Sequence, residues 1–140
     1  MTLLDAYALI AFLVGGPATT QVRAILREGD AAVATANLVE VLDVSERVHG
    51  LVMTRAIAII EPLFDASLAA IPLDLAVARR AAAIRARHYH RSERPISLAD
   101  AVLLASTGPD DRVATADRHV LAAAAAEELE SVRLPEQGST

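Results

Sequence analysis

The 140-residue chain has no cysteine, no lysine and almost no aromatic side chains. Without cysteine there is no disulfide framework, no thiolate-bound zinc and no thiol nucleophile. All 13 basic residues are arginine. The absence of lysine removes the Walker-type phosphate loop and Schiff-base chemistry. It also argues against a phospho-acceptor receiver domain, whose acidic pocket resembles a system that needs a lysine. Aromatics make up 3% of the chain against 54% hydrophobic residues, so the core is built from Ala, Leu, Val and Ile. Long apolar runs are missing too. The longest, Ala6 to Val14, is too short to cross a bilayer. Asp5 stands where a secretory leader would carry positive charge, so a soluble, cytoplasmic protein is expected.

What is present bounds the answer further. A 14.8 kDa chain keeps roughly 7,000 Å² of surface when folded as one domain. The net charge of −5 argues against nucleic-acid binding by overall charge, though a local basic patch is compatible with it. No internal repeat or linker divides the chain. A single domain is expected over 1–134, with a frayed polar tail over 135–140.

The pattern alternates short apolar strands with helices. Strands are predicted at Leu3-Leu4, Ala31 to Thr35, Ala66 to Ile71, Arg112 to Thr115 and Ser131 to Leu134. Helices are predicted over Ala6 to Val14, Thr20 to Arg27, Asn37 to Val48, Thr54 to Ile60 (stopping before Pro62), Asp74 to Arg87, Ser97 to Ser106, and from Asp117 onward. Strands separated by helices of this length need right-handed crossovers, which give a mostly parallel sheet in a three-layer α/β/α domain. In such sheets ligands bind outside the carboxyl ends of the strands.

Four carboxylates fall where that rule puts a site: Asp5, Glu40, Asp100 and Asp117. Each has a structural explanation of its own. Asp5 and Asp117 suit helix N-caps. Ser97-x-x-Asp100 and Asn37-x-x-Glu40 read as capping boxes. Jointly they place four negative charges at one end of a sheet, with no lysine to offset them. Such a cluster is kept mainly where a hard divalent cation sits in it.

These residues carry a resemblance. Leu3-Leu-Asp5-Ala-Tyr-Ala-Leu, Ala36-Asn37-Leu-Val-Glu40-Val, Ile96-Ser97-Leu-Ala-Asp100-Ala-Val-Leu-Leu-Ala105 and Ala114-Thr115-Ala-Asp117-Arg resemble, in order and spacing, the PIN-domain ribonucleases. The VapC-type toxins of bacterial toxin–antitoxin pairs are the nearest kind. Ala6 and Val120 depart from the family's usual Ser/Thr and aromatic residues. The resemblance implies a PIN-like fold and a Mg²⁺- or Mn²⁺-dependent endoribonuclease with Asp5, Glu40, Asp100 and Asp117 in its acidic site. Thr115 would help organise that site. Asp5, Asp100 and Asp117 are expected to hold metal, and Glu40 to hold metal or orient the attacking water. An RNA substrate, a cognate VapB-type antitoxin and a homodimer are implied as partners.

Other features are weaker. Arg79, Arg80, Arg85, Arg87, His88, His90, Arg91 and Arg94 form a basic segment opposed locally only by Glu93. It is either a solvated helix end or an RNA-phosphate contact, with Arg85, Arg87 and Arg91 as the candidates. Val52, Ile57 and Ile60 suit either the core or a groove for an antitoxin helix. Two other functions stay open. One is a catalytically silent PIN-like module that binds RNA or protein. The other is a metal-dependent phosphohydrolase of small molecules, which the fold alone would permit.

Overall fold

The chain builds five short strands, β1 (Thr2–Leu4), β2 (Ala31–Ala34), β3 (Leu68–Ile71), β4 (Arg112–Thr115) and β5 (Glu130–Arg133). Between them lie α1 (Ala6–Val14), α2 (Thr19–Arg27), α3 (Thr35–Arg47), α4 (Met53–Phe64), α5 (Leu75–His88), α6 (Leu98–Ser106) and α7 (Arg118–Ala126). The computed structural model describes residues 1–90, 92–93 and 95–136. The strands form one sheet in the order β3-β2-β1-β4-β5, and every pairing is parallel. The expected α/β architecture is therefore observed. All-parallel pairing follows from the helical crossovers, because a hairpin can join only antiparallel neighbours.

Alternation along the strands sorts the core into two layers. Leu4, Ala31, Val33 and Ala114 face α1 to α4, while Leu3, Ala32, Ala34 and Val113 face α5 to α7. Both faces of the inner strands β1 and β2 are covered, which is why they are apolar almost throughout, whereas the edge strand β5 is exposed and carries Glu130, Ser131 and Arg133. The side chains are mostly small, and the helices reach the sheet through Ala and Val. Ala81, Ala101, Ala105, Ala123 and Ala124 are all buried on the second face. The accessible surface is 7632 Å², close to that expected of a folded monomer of this mass.

Most boundaries shift by one or two residues from the sequence reading, and two shifts change the interpretation. α3 begins at Thr35, so Asn37 and Glu40 lie inside the helix and do not form a capping box. β2 runs into the helix through Ala34, whose extended backbone (ψ 138°) serves as the cap without a side-chain bond. α4 continues through Pro62 to Phe64. Proline there forfeits one hydrogen bond near the helix end, where disruption is least. Leu63 and Phe64 still pack against the first core layer, which favours keeping the last turn helical.

Candidate active site

The order of strands explains where the site lies. From β1 the chain winds outward through β2 and β3 on one side, while β4 and β5 lie on the other. The direction of winding reverses between β1 and β4, and at such a switch point the connections diverge and leave a crevice at the carboxyl ends. Asp5 follows β1 and Asp117 follows β4, so the two border that crevice. A cleft of about 520 Å³ opens there, lined among others by Asp5, Glu40, Asp100 and Asp117. All four predicted acids thus come to one cleft.

Each is held by its own backbone. Asp5 caps α1, its Oδ1 accepting the Ala8 N–H at 2.9 Å. Asp117 caps α7, its Oδ1 accepting the N–H groups of His119 (2.7 Å) and Val120 (3.4 Å). Asp100 closes the predicted capping box: Ser97 N–H donates to its Oδ2 at 2.9 Å, and its own N–H donates to Ser97 Oγ at 3.0 Å. The capping and site readings are therefore compatible. In each of these three caps the backbone N–H bonds reach one carboxylate oxygen. Glu40 has no cap role and projects from the second turn of α3.

Thr115 links two of the acids. Its hydroxyl is fully buried and accepts the Asp117 N–H at 3.1 Å. It also hydrogen-bonds the Asp5 carboxylate, which, being ionised, only accepts, so the hydroxyl proton points to Asp5. The Thr-x-Asp element thus fixes the end of β4 against the end of β1.

The electrostatics are those of crowded anions. Asp5 is 7% exposed, and burial pushes its carboxyl up to about 6. The bonds from Thr115 and Ala8 oppose that rise, while the charges of Asp100 and Glu40 add to it. Burial likewise raises Glu40, with the charges of Asp100 and Asp43 contributing. Burial raises Asp100 most, partly offset by Ser97, and the Asp117 charge raises it further. Burial and neighbouring negative charge both disfavour the anion, so all three shift upward.

The chemistry of this donor set fits a hard divalent cation: carboxylate oxygens, a polar cleft and uncompensated negative charge. Among the described residues, however, no three acidic or histidine side chains are already spaced to share one ion. The caps explain why, since they direct carboxylate oxygens toward backbone amides. Mg²⁺ commonly takes one or two carboxylates and keeps several waters, so a full protein cage is not required of it.

The basic segment lies elsewhere. Arg85 donates to the Ile96 carbonyl and stacks over the Tyr89 ring, 4.4 Å from its centroid. Arg87 forms a two-pronged pair with Glu127 of the α7 C-terminus (2.6 and 3.2 Å), and His88 Nε2 meets the same carboxylate at 2.6 Å. Glu127 is thus a partner that the local sequence did not reveal. Arg91 lies outside the described residues. Ile60 is core, whereas Val52 and Ile57 are exposed, as are Val39, Val48 and Met53. Among the described residues no single helix is long and apolar enough to cross a membrane.

The cleft also holds residues that the sequence analysis did not assign to the site. Tyr7, Asn37, Arg118 and Arg133 all line it. Arg118 adjoins Asp117, and Arg133 ends the last strand; the carboxyl-end rule applied to β5 would have found it. Asn37 lies one turn before Glu40, and its Nδ2 donates weakly to the Ala99 carbonyl at 3.4 Å, tying α3 to the start of α6.

Comparison with solved structures places this architecture. The chain superposes on a DNA-bound VapBC of Salmonella typhimurium with a TM-score of 0.70 over 94% of this chain and 96% of that one, at 19% identity. The chain has a PIN-like fold. FitAcB of Neisseria gonorrhoeae matches it with a TM-score of 0.65 at 24% identity over 95% and 97% of the two chains. VapC20 of Mycobacterium tuberculosis, a sarcin-ricin loop cleaving toxin, matches with a TM-score of 0.59 at 17% identity over 75% and 79%. No protein-family model matches the sequence, and no curated protein matches it either. At these identities the PIN-like fold is shared with toxin–antitoxin proteins while most side chains have changed.

Proposed function

We propose that this PIN-like protein is a metal-dependent endoribonuclease toxin of the cytoplasm, hydrolysing RNA phosphodiester bonds and restrained by a cognate antitoxin. The observation that carries the reading is the convergence of Asp5, Glu40, Asp100 and Asp117 on one cleft, with Asp5 buried and held near 6 by burial and its acidic neighbours. Burying a carboxylate among like charges is costly, and a fold keeps such an arrangement at functional sites more than elsewhere.

Mg²⁺ or Mn²⁺ held by Asp5, Asp100 and Asp117 would supply the positive charge that lets an anionic phosphodiester approach and would acidify a bound water. The protein's own contributions are definite. Thr115 joins the Asp5 carboxylate to the Asp117 backbone and so ties the end of β1 to the end of β4. Glu40, whose carboxyl is raised by burial, would hold metal or orient the attacking water and take its proton. The leaving group is the ribose 3′-oxygen, and the resemblance implies 5′-phosphate and 3′-hydroxyl products.

Partners follow from the same reading. Proteins with this fold crystallise as VapBC and FitAcB assemblies, and a toxin of this type needs a tight inhibitor. The exposed apolar side chains Val39 of α3, Val48 at its C-cap and Met53 of α4 suit an apolar antitoxin segment. A homodimer is the expected oligomer.

A catalytically silent module that binds RNA or protein is the second reading. It is favoured by the absence, among the described residues, of three donors already spaced for an ion. One assay separates the readings: purified wild-type protein and Asp5→Asn are incubated with structured RNA and with small phosphate esters, in Mn²⁺ or in EDTA. Cleavage of RNA by the wild type alone, only with Mn²⁺, supports the nuclease. Metal binding without turnover of any RNA favours the silent module, and turnover of the small esters alone indicates a phosphohydrolase.

A further inference from the structure

The chain does not leave the sheet where its last strand stops. β5 is an edge strand, and β4 separates it from β1. Just past β5, the Leu134 N–H donates to the Thr115 carbonyl at 2.9 Å, and the Leu134 side chain is buried in the first core layer. One residue on, the Pro135 carbonyl accepts the Tyr7 hydroxyl at 2.6 Å. Tyr7 stands in the first turn of α1, two residues after Asp5. Leu134 to Glu136 therefore run from the end of β5, past the end of β4, to the helix that follows β1. That path crosses the mouth of the crevice between β1 and β4.

The strap brings a further carboxylate to the cleft. Glu136 lines it together with Asp5, Glu40, Asp100 and Asp117. Burial raises the Tyr7 phenol, and the charges of Asp5 and Glu136 raise it further, so the hydroxyl lies within reach of both. The Glu136 side chain is exposed and has no hydrogen bond or ion pair among the described residues. Arg118 and Arg133 line the same cleft, yet neither pairs with it. Main-chain groups fix the strap, the Leu134 N–H and the Pro135 carbonyl, which leaves the carboxylate of Glu136 unengaged. Without a cation the cleft acids repel it. A divalent ion reverses the sign of the local field and draws it inward. Any anion arriving from solvent must then compete with it for the same positive charge.

We propose that Leu134 to Glu136 form a strap latched by Tyr7, and that Glu136 closes on a cation held in the cleft as an internal competitor of incoming anions. The strap turns away weakly bound anions and yields to a ligand that binds more firmly. This rests on the cation-binding part of the proposed function and adds a gate to it.

The test reads two affinities by isothermal titration calorimetry, near neutral pH and at low salt. One is the affinity of the protein for Mn²⁺, the other that of the Mg²⁺-saturated protein for inorganic phosphate. E136Q is expected to weaken Mn²⁺ binding about three- to fivefold and to tighten phosphate binding by a similar factor, the scale of one exposed ion pair. Both effects shrink at high salt. E130Q, at the opposite end of β5, changes neither. Y7F keeps the ring but releases Pro135, so it moves both affinities in the same directions as E136Q. Y7F/E136Q matches E136Q alone, because a released strap and a neutral one fail in the same way. Hydrogen exchange over residues 130–136 slows when Mn²⁺ binds the wild type and not when it binds E136Q. E136Q alters an exposed side chain, and thermal melts check its fold; if Y7F is poorly folded, E136Q and hydrogen exchange decide. Unchanged affinities in E136Q, or additive effects in the double variant, overturn the strap. Failure of the ribonuclease reading looks different: wild-type protein then binds Mn²⁺ and shows the strap effects but cleaves no RNA. Wild-type protein that binds no Mn²⁺ overturns both.

Discussion

Replacing Asp5 by asparagine should stabilise the protein while destroying its activity. Asp5 is buried, and its carboxyl is raised from 3.8 to about 6. That difference corresponds to about 3 kcal/mol. The folded chain binds this proton more tightly than the unfolded chain, so the associated stability is fully present below about pH 3.8 and is lost as the pH rises through about 6. At pH 7.5 without divalent cations, the folded state carries the whole penalty of an ionised Asp5. Asparagine removes the charge, and its Oδ1 can still accept the Ala8 N–H. The variant should therefore unfold later by up to about 3 kcal/mol at pH 7.5, or roughly 10 °C in Tm for a chain of this length. The gain should shrink toward zero near pH 4. Urea and thermal unfolding followed by circular dichroism in EDTA, from pH 3.5 to 8, measure this directly. The wild-type-minus-variant difference removes groups common to both proteins. A variant no more stable than wild type at pH 7.5, or a difference that does not vary with pH, would refute the reasoning. Gain of stability with loss of function is the usual signature of a strained active site.

Other outcomes follow from the same geometry. Mn²⁺ or Mg²⁺ should raise the wild-type Tm at pH 7.5, by about 2.7 kcal/mol of stabilisation at a hundredfold excess over Kd, and much less at pH 5, where Asp5 is protonated; differential scanning fluorimetry with reversal by EDTA checks both. Thr115→Val keeps the shape but strands the Asp117 N–H and removes a donor from Asp5. It should cost about 1–3 kcal/mol in urea titrations and depress RNA cleavage. Glu127→Gln breaks the pairs with Arg87 and His88 at the far ends of α5 and α7. It should cost about 1 kcal/mol or less, read by thermal melting, with cleavage unchanged.

Much of the site was legible because it depends on chain direction. Asp5 and Asp117 each follow an apolar strand directly, and a parallel sheet delivers both to one end whatever the details of packing. The Ser97 and Asp100 box could be read because it closes within four residues. Asn37 and Glu40 could not be assigned so well. Their apparent capping box competes with a helix that starts at Thr35, and only packing of α3 on the sheet decides between them. The same limit applies to α4, where Pro62 signals a stop that the burial of Leu63 and Phe64 overrides.

The basic segment shows the other side of that limit. Its arginines are clustered in sequence, yet Arg87 pairs with Glu127, 40 residues away, and Arg85 reaches forward to Ile96. The arginines that border the cleft, Arg118 and Arg133, are solitary in sequence. The linear pattern was enough for the fold class and for bringing four candidate acids to one cleft, because strand polarity and helix capping are local and period-based. Which arginines share the cleft with those acids was decided only in three dimensions, because a long-range neighbour depends on strand order, and that order is chosen by the packing of both faces of the sheet.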